Sequence, residues 1–310
     1  MNEPRTRWLT SRLGCALLVA SAIVVGTVLE SGAQEPRKMR ESFATGQEVV
    51  PAYEGWEPNP DGSFNLVFGY FNRNWEEEID IPPGPNNRLD PGGPDLGQPT
   101  RFLPRRNRFL FKVHVPADFG DDEVVWTLTS PNGETKRAYG TLHPDYFIDN
   151  SVLMANNGGG ASGEIYKNQT PDLLLVGETK RKVEAGQWVT LSAYASDDEL
   201  PRPRAMRRFD PTKPPVNVTP NAATGLRLSW FVYRGGPGEV RFNPPQYKAW
   251  EDTRNNADSP FSPGWKTPEA PPMGKWVVQA RFSEPGTYIL RCLAHDGGLM
   301  AHEDVTFVVE

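Results

Sequence analysis

The densest chemistry in the chain lies at its end. The stretch "GTYILRCLAHDGGLMAHEDVTFVVE" (286–310) holds Cys292, His295, Asp296, His302, Glu303 and Asp304, including two of the chain's four histidines. Thiolate, imidazole and carboxylate are zinc ligands and members of nucleophilic dyads, so the question is whether they converge. Strand parity says they do not. Cys292 alternates with Tyr288, Leu290 and Ala294, an apolar and therefore inward set, while His295 has the opposite parity. A hairpin centred near Gly298 and Leu299 pairs His295 with His302 and Cys292 with Val305. The histidines then face each other outside while the thiol is buried as a small hydrophobe. Three ligands on opposite faces of one sheet make no tetrahedral site. The segment is predicted to be the last hairpin of a sandwich, with no catalytic residue.

Carboxylates offer a second chemistry. "SAYASDDE" (192–199) and "RCLAHDGG" (291–298) read as strands that, in an immunoglobulin-like sandwich, run in the same direction and end at one pole. Asp197, Asp198 and Asp296 would meet there as oxygen ligands for calcium. The alternative is turn chemistry on a solvated rim, where Asp-Asp and Asp-Gly are common. Aromatics offer a third. Trp56 and Trp75 in the first half, with Trp250 and Trp265 in long segments of the second, are the candidates for stacking on sugar rings. Pinning of loops is the competing use of such residues. The sequence has no Gly-x-Ser-x-Gly, His-Glu-x-x-His, Walker or dinucleotide motif.

These residues must be held by strands. Thirty-one prolines and 29 glycines punctuate the chain too often for long helices, and the apolar residues alternate with period two, so the class is all-β: two β-sandwich domains of immunoglobulin-like, Greek-key type. The first spans 48–148. It includes "GSFNLVFGYFNRN", "NRFLFKVHVPAD" and "DEVVWTLTSPNGETKRAYGTL", with the proline-rich crossing "DIPPGPNNRLDPGGPDLGQPTRFLP" between the first two. Residues 149–175, centred on Gly-Gly-Gly, read as a linker or exposed loop. The second domain spans 176–310, with inward sets Val189, Leu191, Ala193, Ala195 and Leu226, Leu228, Trp230, Val232.

"VEAGQWVTLSAYASDDE", "LRLSWFVYRGGPGEVRF", "ARFSEPGTYILRCLAHDG" and "VTFVV" occur in order and resemble successive strands of a PKD-type immunoglobulin-like domain. The resemblance implies a sandwich with Trp230 at its centre. Segments 200–223 and 247–274 are much longer than the family's usual connections, which argues against a plain spacer. The first block resembles the N-terminal module of uncharacterised exported bacterial proteins, which implies no activity.

The beginning of the chain sets its destination. Arg5, Arg7 and Arg12 precede the apolar run Leu13–Leu29, and "ESGAQ" supplies small residues at Ser31 and Ala33. That is a secretory signal peptide over 1–33 followed by a tail over 34–47, or, if retained, a single-span anchor. Cleavage leaves Cys292 as the one cysteine, so no internal disulfide is expected. The net charge of −6 excludes nucleic acid as a general partner. The runs "NWEEEID" and "RPRAMRR" are solvated faces or docking patches, and Asn168 and Asn217 stand in glycosylation sequons. The expected function is a non-catalytic binding or structural module, secreted or periplasmic, that recognises polysaccharide or another envelope or matrix protein. It has no cofactor unless calcium occupies the pole. A hydrolase with its site in the inter-domain cleft is the alternative, since the separation of a carboxylate pair is a spatial property.

Overall fold

A computed structural model describes residues 42–160, 163–208 and 220–310. The signal peptide, the start of the tail through residue 41 and the sequon at Asn217 lie outside the described residues. Among the described residues no helix is long and apolar enough to cross a membrane.

The first half gives β1 (Val49–Pro58), β2 (Phe64–Asn72), β3 (Ile79–Asp80), β4 (Asn87–Asp90), β5 (Arg101–Phe102), β6 (Arg105–Val115), β7 (Val124–Thr129) and β8 (Thr135–Gly140). Sheet β1-β2-β6 faces sheet β4-β7-β8, with β3 and β5 paired beside them. Alternation fixes which face is inward: Leu66, Phe68 and Tyr70 of β2 are buried around Trp126 of β7. The Trp126 ring lies 4.9 Å from Phe111 and 6.0 Å from Phe68, both edge-on. Its indole N–H donates to Asn87 Oδ1 at 3.0 Å. The proline-rich crossing is ordered by two buried amides. Asn87 donates to the carbonyls of Ile81 and Pro99, and Gln98 to those of Asn87 and Pro94, replacing ladder bonds that proline cannot make.

The second half gives β9 (Asp172–Leu175), β10 (Lys180–Val183), β11 (Trp188–Ser196), β12 (Arg227–Arg234), β13 (Val240–Asn243), β14 (Lys275–Phe282), β15 (Gly286–His295) and β16 (Met300–Val309). Sheet β13-β14-β11-β9 packs on sheet β10-β16-β15-β12, with β10 parallel to β16. That is the strand order of an immunoglobulin constant-type sandwich whose first strand is split between the sheets. Trp230 sits in its core opposite Cys292, where an antibody domain carries a disulfide.

Three features depart from expectation. Residues 149–175 are neither linker nor exposed loop throughout: Asn150–Asn157 form a helix, α1, and β9 begins within the segment. Asp149 caps α1 by accepting from Val152 N–H at 2.9 Å, and Gly158 ends it in the left-handed region at φ 93°. Met154 is fully buried, and Asn157 donates to Gly298 O at 2.9 Å, so α1 packs against the β15–β16 turn. Eight residues are too few to show a helical period.

The last hairpin is also tighter than expected. His295 pairs with Met300, Leu293 with His302 and Cys292 with Glu303. Asp296 sets this register: its Oδ1 accepts from Gly298 N–H at 2.5 Å and Leu299 N–H at 2.7 Å, closing a four-residue turn.

Finally, the outer face of sheet β10-β16-β15-β12 is covered by the first sandwich, and Ser42–Glu310 form one compact unit. Tyr233 of β12 enters the first sandwich's core and its hydroxyl donates to Gly97 O. Arg234 makes a two-pronged pair with Asp95 at 2.9 and 2.7 Å. Arg291 pairs with Asp304 at 2.8 Å, lies 3.7 Å from the Tyr233 ring centroid and donates to Leu110 O. His295 therefore leaves the core but is buried at the seam, and His302 is half-buried beside it.

Candidate functional site

The carboxylate pole forms where β11 and β15 end. Burial, then the charges of Asp296 and Asp198, push the Asp197 carboxyl up to about 7. Burial raises Asp296 to about 6 against its hydrogen bonds from Gly298, Leu299 and Asn168. Both Asp197 oxygens are buried without a hydrogen-bond partner, as is Asn168 Oδ1. Asp198 turns away, accepting from the backbone N–H groups of Gln169 and Leu200 at 3.1 and 2.9 Å. Among the described residues, no group of three or more His, Cys, Asp or Glu is arranged to hold a metal ion. The sequon residue Asn168 is buried with its amide on Asp296 Oδ2 at 3.1 Å, out of reach of a glycosylating enzyme.

The four tryptophans singled out from sequence are half-buried, each engaged locally. Trp56 donates to His143 O at 2.9 Å between the rings of Phe64 and Phe147. Trp75 lies between two guanidinium groups, Arg105 at 4.0 Å and Arg254 at 5.1 Å from its ring. Lys248 sits 5.8 Å from the Trp250 ring, and Trp265 donates to Asp258 at 2.8 Å. Trp56 and Trp75 thus touch neighbouring segments, whereas Trp250 and Trp265 make these contacts within 247–274.

Exposed aromatics occur elsewhere. With Val189, Leu191, Ala193 and Ala195 turned inward, β11 presents Trp188, Thr190, Ser192 and Tyr194 on the outer face of sheet β13-β14-β11-β9. Trp188 is 43% and Tyr194 39% exposed. Six residues of strand put the two rings ~20 Å apart. The ladder sets Arg281 beside Trp188, Gln279 beside Thr190, Val277 beside Ser192 and Lys275 beside Tyr194. The Arg281 guanidinium lies 5.1 Å from the Trp188 ring and the Lys275 ammonium 5.8 Å from the Tyr194 ring. These cations fix the rings at the cost of part of each face. Asn243 of β13 donates to Gln279 at 3.2 Å, and Leu174 of β9, 66% exposed, borders Tyr194. The result is an open sheet face with a ring at each end and hydroxyl and amide groups between. Its signal stands in "GQWVTLSAYAS": the residues between the inward set are W, T, S and Y.

No family model and no curated protein matches the chain. Among solved structures it is similar to the fibronectin(III)-like modules of Clostridium thermocellum CbhA, at 8% identity over 85% of this chain and 94% of that one, TM-score 0.22. It is also similar to domains 4 and 5 of the S-layer protein SbsC, at 9% identity over 85% and 98% of the two chains, TM-score 0.23. The Yersinia pseudotuberculosis adhesin InvE is matched at 12% identity over 84% of this chain and 58% of that one, TM-score 0.22. Likenesses at this level bear on neither ligand nor partner; the sandwich assignment rests on the strand order above.

Chemically, the outer face can stack and hydrogen-bond but has nothing to activate a nucleophile. Cys292, the one nucleophilic thiol among the described residues, is buried in the core with burial pushing it far above the ordinary thiol range.

Proposed function

We propose that the protein is an exported, non-catalytic binding module that holds a linear polysaccharide along the outer face of sheet β13-β14-β11-β9. The observation that carries this reading is the pair Trp188 and Tyr194, both solvent-facing on one strand of a face no other part of the described chain covers. Amphipathic rings stack on the apolar faces of sugars, and the intervening Thr190, Ser192, Gln279 and Asn243 can meet hydroxyl groups. Export is supported by the basic, apolar and small-residue pattern of residues 1–33. One cavity at the seam is lined by arginine and histidine with no Asp or Glu among its described residues, whereas another, of about 440 Å³, has Glu78 and Glu239 in its wall and is where the hydrolase alternative would have to work.

Affinity electrophoresis of the chain from Ser42 to Glu310 in gels containing neutral and acidic polysaccharides tests the reading. Retardation is expected in at least one gel. Trp188→Ala and Tyr194→Ala should each weaken binding by roughly 1–2 kcal/mol, a factor of about 5–30. Folding stability should stay within about 0.5 kcal/mol of wild type, because neither ring is in the core. Wild-type retardation in both variants, or in no gel at all, removes the proposal. Capture by another protein that depends on the same two rings would make the face a protein-docking surface instead.

A further inference from the structure

The seam between the sandwiches holds a half-open cavity of about 60 Å³, room for roughly four water-sized spheres. Its wall is unusual in charge. Arg106 and Arg108 come from β6, Arg227 from β12, Arg291 and His295 from β15, and His302 from β16, and no Asp or Glu is among its described lining residues. Three of these cations are balanced from behind: Arg106 by Glu54 at 2.8 Å, Arg108 by Glu251 at 2.7 Å and Arg291 by Asp304 at 2.8 Å.

Arg227 is not. It is 2% exposed, and its hydrogen bonds run to the carbonyl oxygens of Ala223 and Gly225, at 3.1 and 3.4 Å, rather than to a carboxylate. The acid that acts on it through charge, Asp296, spends its oxygens on Gly298, Leu299 and Asn168. A buried guanidinium without an anion is costly. Two more donors line the same wall. His295 Nδ1 accepts from Gly297 N–H at 2.8 Å, so the proton of the neutral ring sits on Nε2. Tyr247 lines the cavity too: its buried hydroxyl lies beside the Arg227 guanidinium and donates to no acceptor. A wall rich in cationic donors with no carboxylate in its described lining is complementary to an oxyanion.

We propose that this cavity binds a small tetrahedral oxyanion, phosphate or sulfate, held by Arg227, Tyr247 and His295 with the β6 arginines opposite. The ligand is either the free ion or the same group on a larger molecule. Because the cations come from both sandwiches, the anion bridges them and binding stabilises the seam.

Thermal melting and titration calorimetry of the Ser42–Glu310 chain with sodium phosphate and sodium sulfate, against sodium chloride at matched ionic strength, test this. A saturable rise in melting temperature with phosphate or sulfate, absent with chloride, is expected. Tyr247→Phe keeps the ring and should weaken the anion about tenfold, the worth of one hydrogen bond to a charged group. Arg227→Met, with folding checked by circular dichroism, should abolish the shift. Glycerol 3-phosphate bound as tightly as inorganic phosphate means that the cavity accepts the group on a larger molecule, and binding of the inorganic ion alone assigns it to the free ion. The proposal is overturned if neither anion exceeds chloride, or if folded Arg227→Met and Tyr247→Phe both keep wild-type affinity.

Discussion

Asp197 and Asp296 share a pole because β11 and β15 end there, and their oxygens outnumber the donors available. Protonation relieves the charge that Asp296 and Asp198 impose on Asp197. The sign follows from the raised carboxyls, about 7 and about 6 against an ordinary 3.8. Above pH 7 both are charged in the native state and the repulsion is felt in full. As pH falls from 7 toward 4 the native state takes up protons that the unfolded state does not, so this pair's contribution to stability rises. Asp197→Asn removes the repulsion. It should stabilise the protein at pH 8 by about 1 kcal/mol, after allowance for the partial exposure of Asp197, and by little at pH 5, as read from urea midpoints. A melting temperature at pH 8 that rises with Ca²⁺, and no longer does so in Asp197→Asn, would make the pole the calcium rim instead. The neighbourhood of the two residues is legible in the sequence, since strand order alone brings them together. The orphaned oxygens are not, because they depend on Asn168 arriving from a segment with no strand or helix signature.

At the scale of elements, alternation in "GQWVTLSAYAS" determines both faces of β11 at once, yet attention to the inward Val, Leu and Ala hides the outward Trp188 and Tyr194. The tryptophans of the other segments draw the eye first, but Trp56, Trp75 and Trp265 are engaged by His143, Arg254 and Asp258. Helix α1 shows the opposite difficulty. Its cap Asp149 and its terminator Gly158 are both visible in the sequence, but eight residues give no periodicity to join them. Met154 is what makes the element matter: fully buried, it packs with Leu299 beneath the β15–β16 turn. Met154→Ala should cost about 2–5 kcal/mol and loosen that turn. Chemical denaturation reads the first effect and amide exchange at Gly298 and Leu299 the second. A loss below about 1 kcal/mol would mean that α1 is not part of the core.

The whole molecule is decided at the seam, and no periodicity in either block announces it: a strand's pattern shows which residues leave the core, not what covers them. His295 and His302 show the consequence. Burial, then the nearby Arg227, holds His295 well below the ordinary imidazole value, and burial with Arg291 lowers His302 to about 4 against the opposing pull of Asp304. Both rings are neutral in the docked state above pH 6.5, where they cost nothing. As pH falls from 6.5 toward 4 the separated or unfolded chain takes up protons that the docked chain refuses, so stability is lost through that window. This runs opposite to the Asp197–Asp296 pair, which gains stability over nearly the same range. A flat pH profile of the wild type would therefore be a cancellation rather than an absence of titration. The two variants separate the terms: His302→Gln should raise stability at pH 5 relative to pH 8, whereas Asp197→Asn should raise it at pH 8 relative to pH 5. Calorimetry adds the spatial assignment. Unfolding should be a single transition at pH 7.5, with Tyr233, Arg234 and Arg291 tying the sandwiches, and should split into two near pH 5 as the seam opens. His302→Gln should move that splitting to lower pH and Asp197→Asn should leave it in place. If both variants move it equally, or if two transitions already exist at pH 7.5, the histidines do not govern the seam.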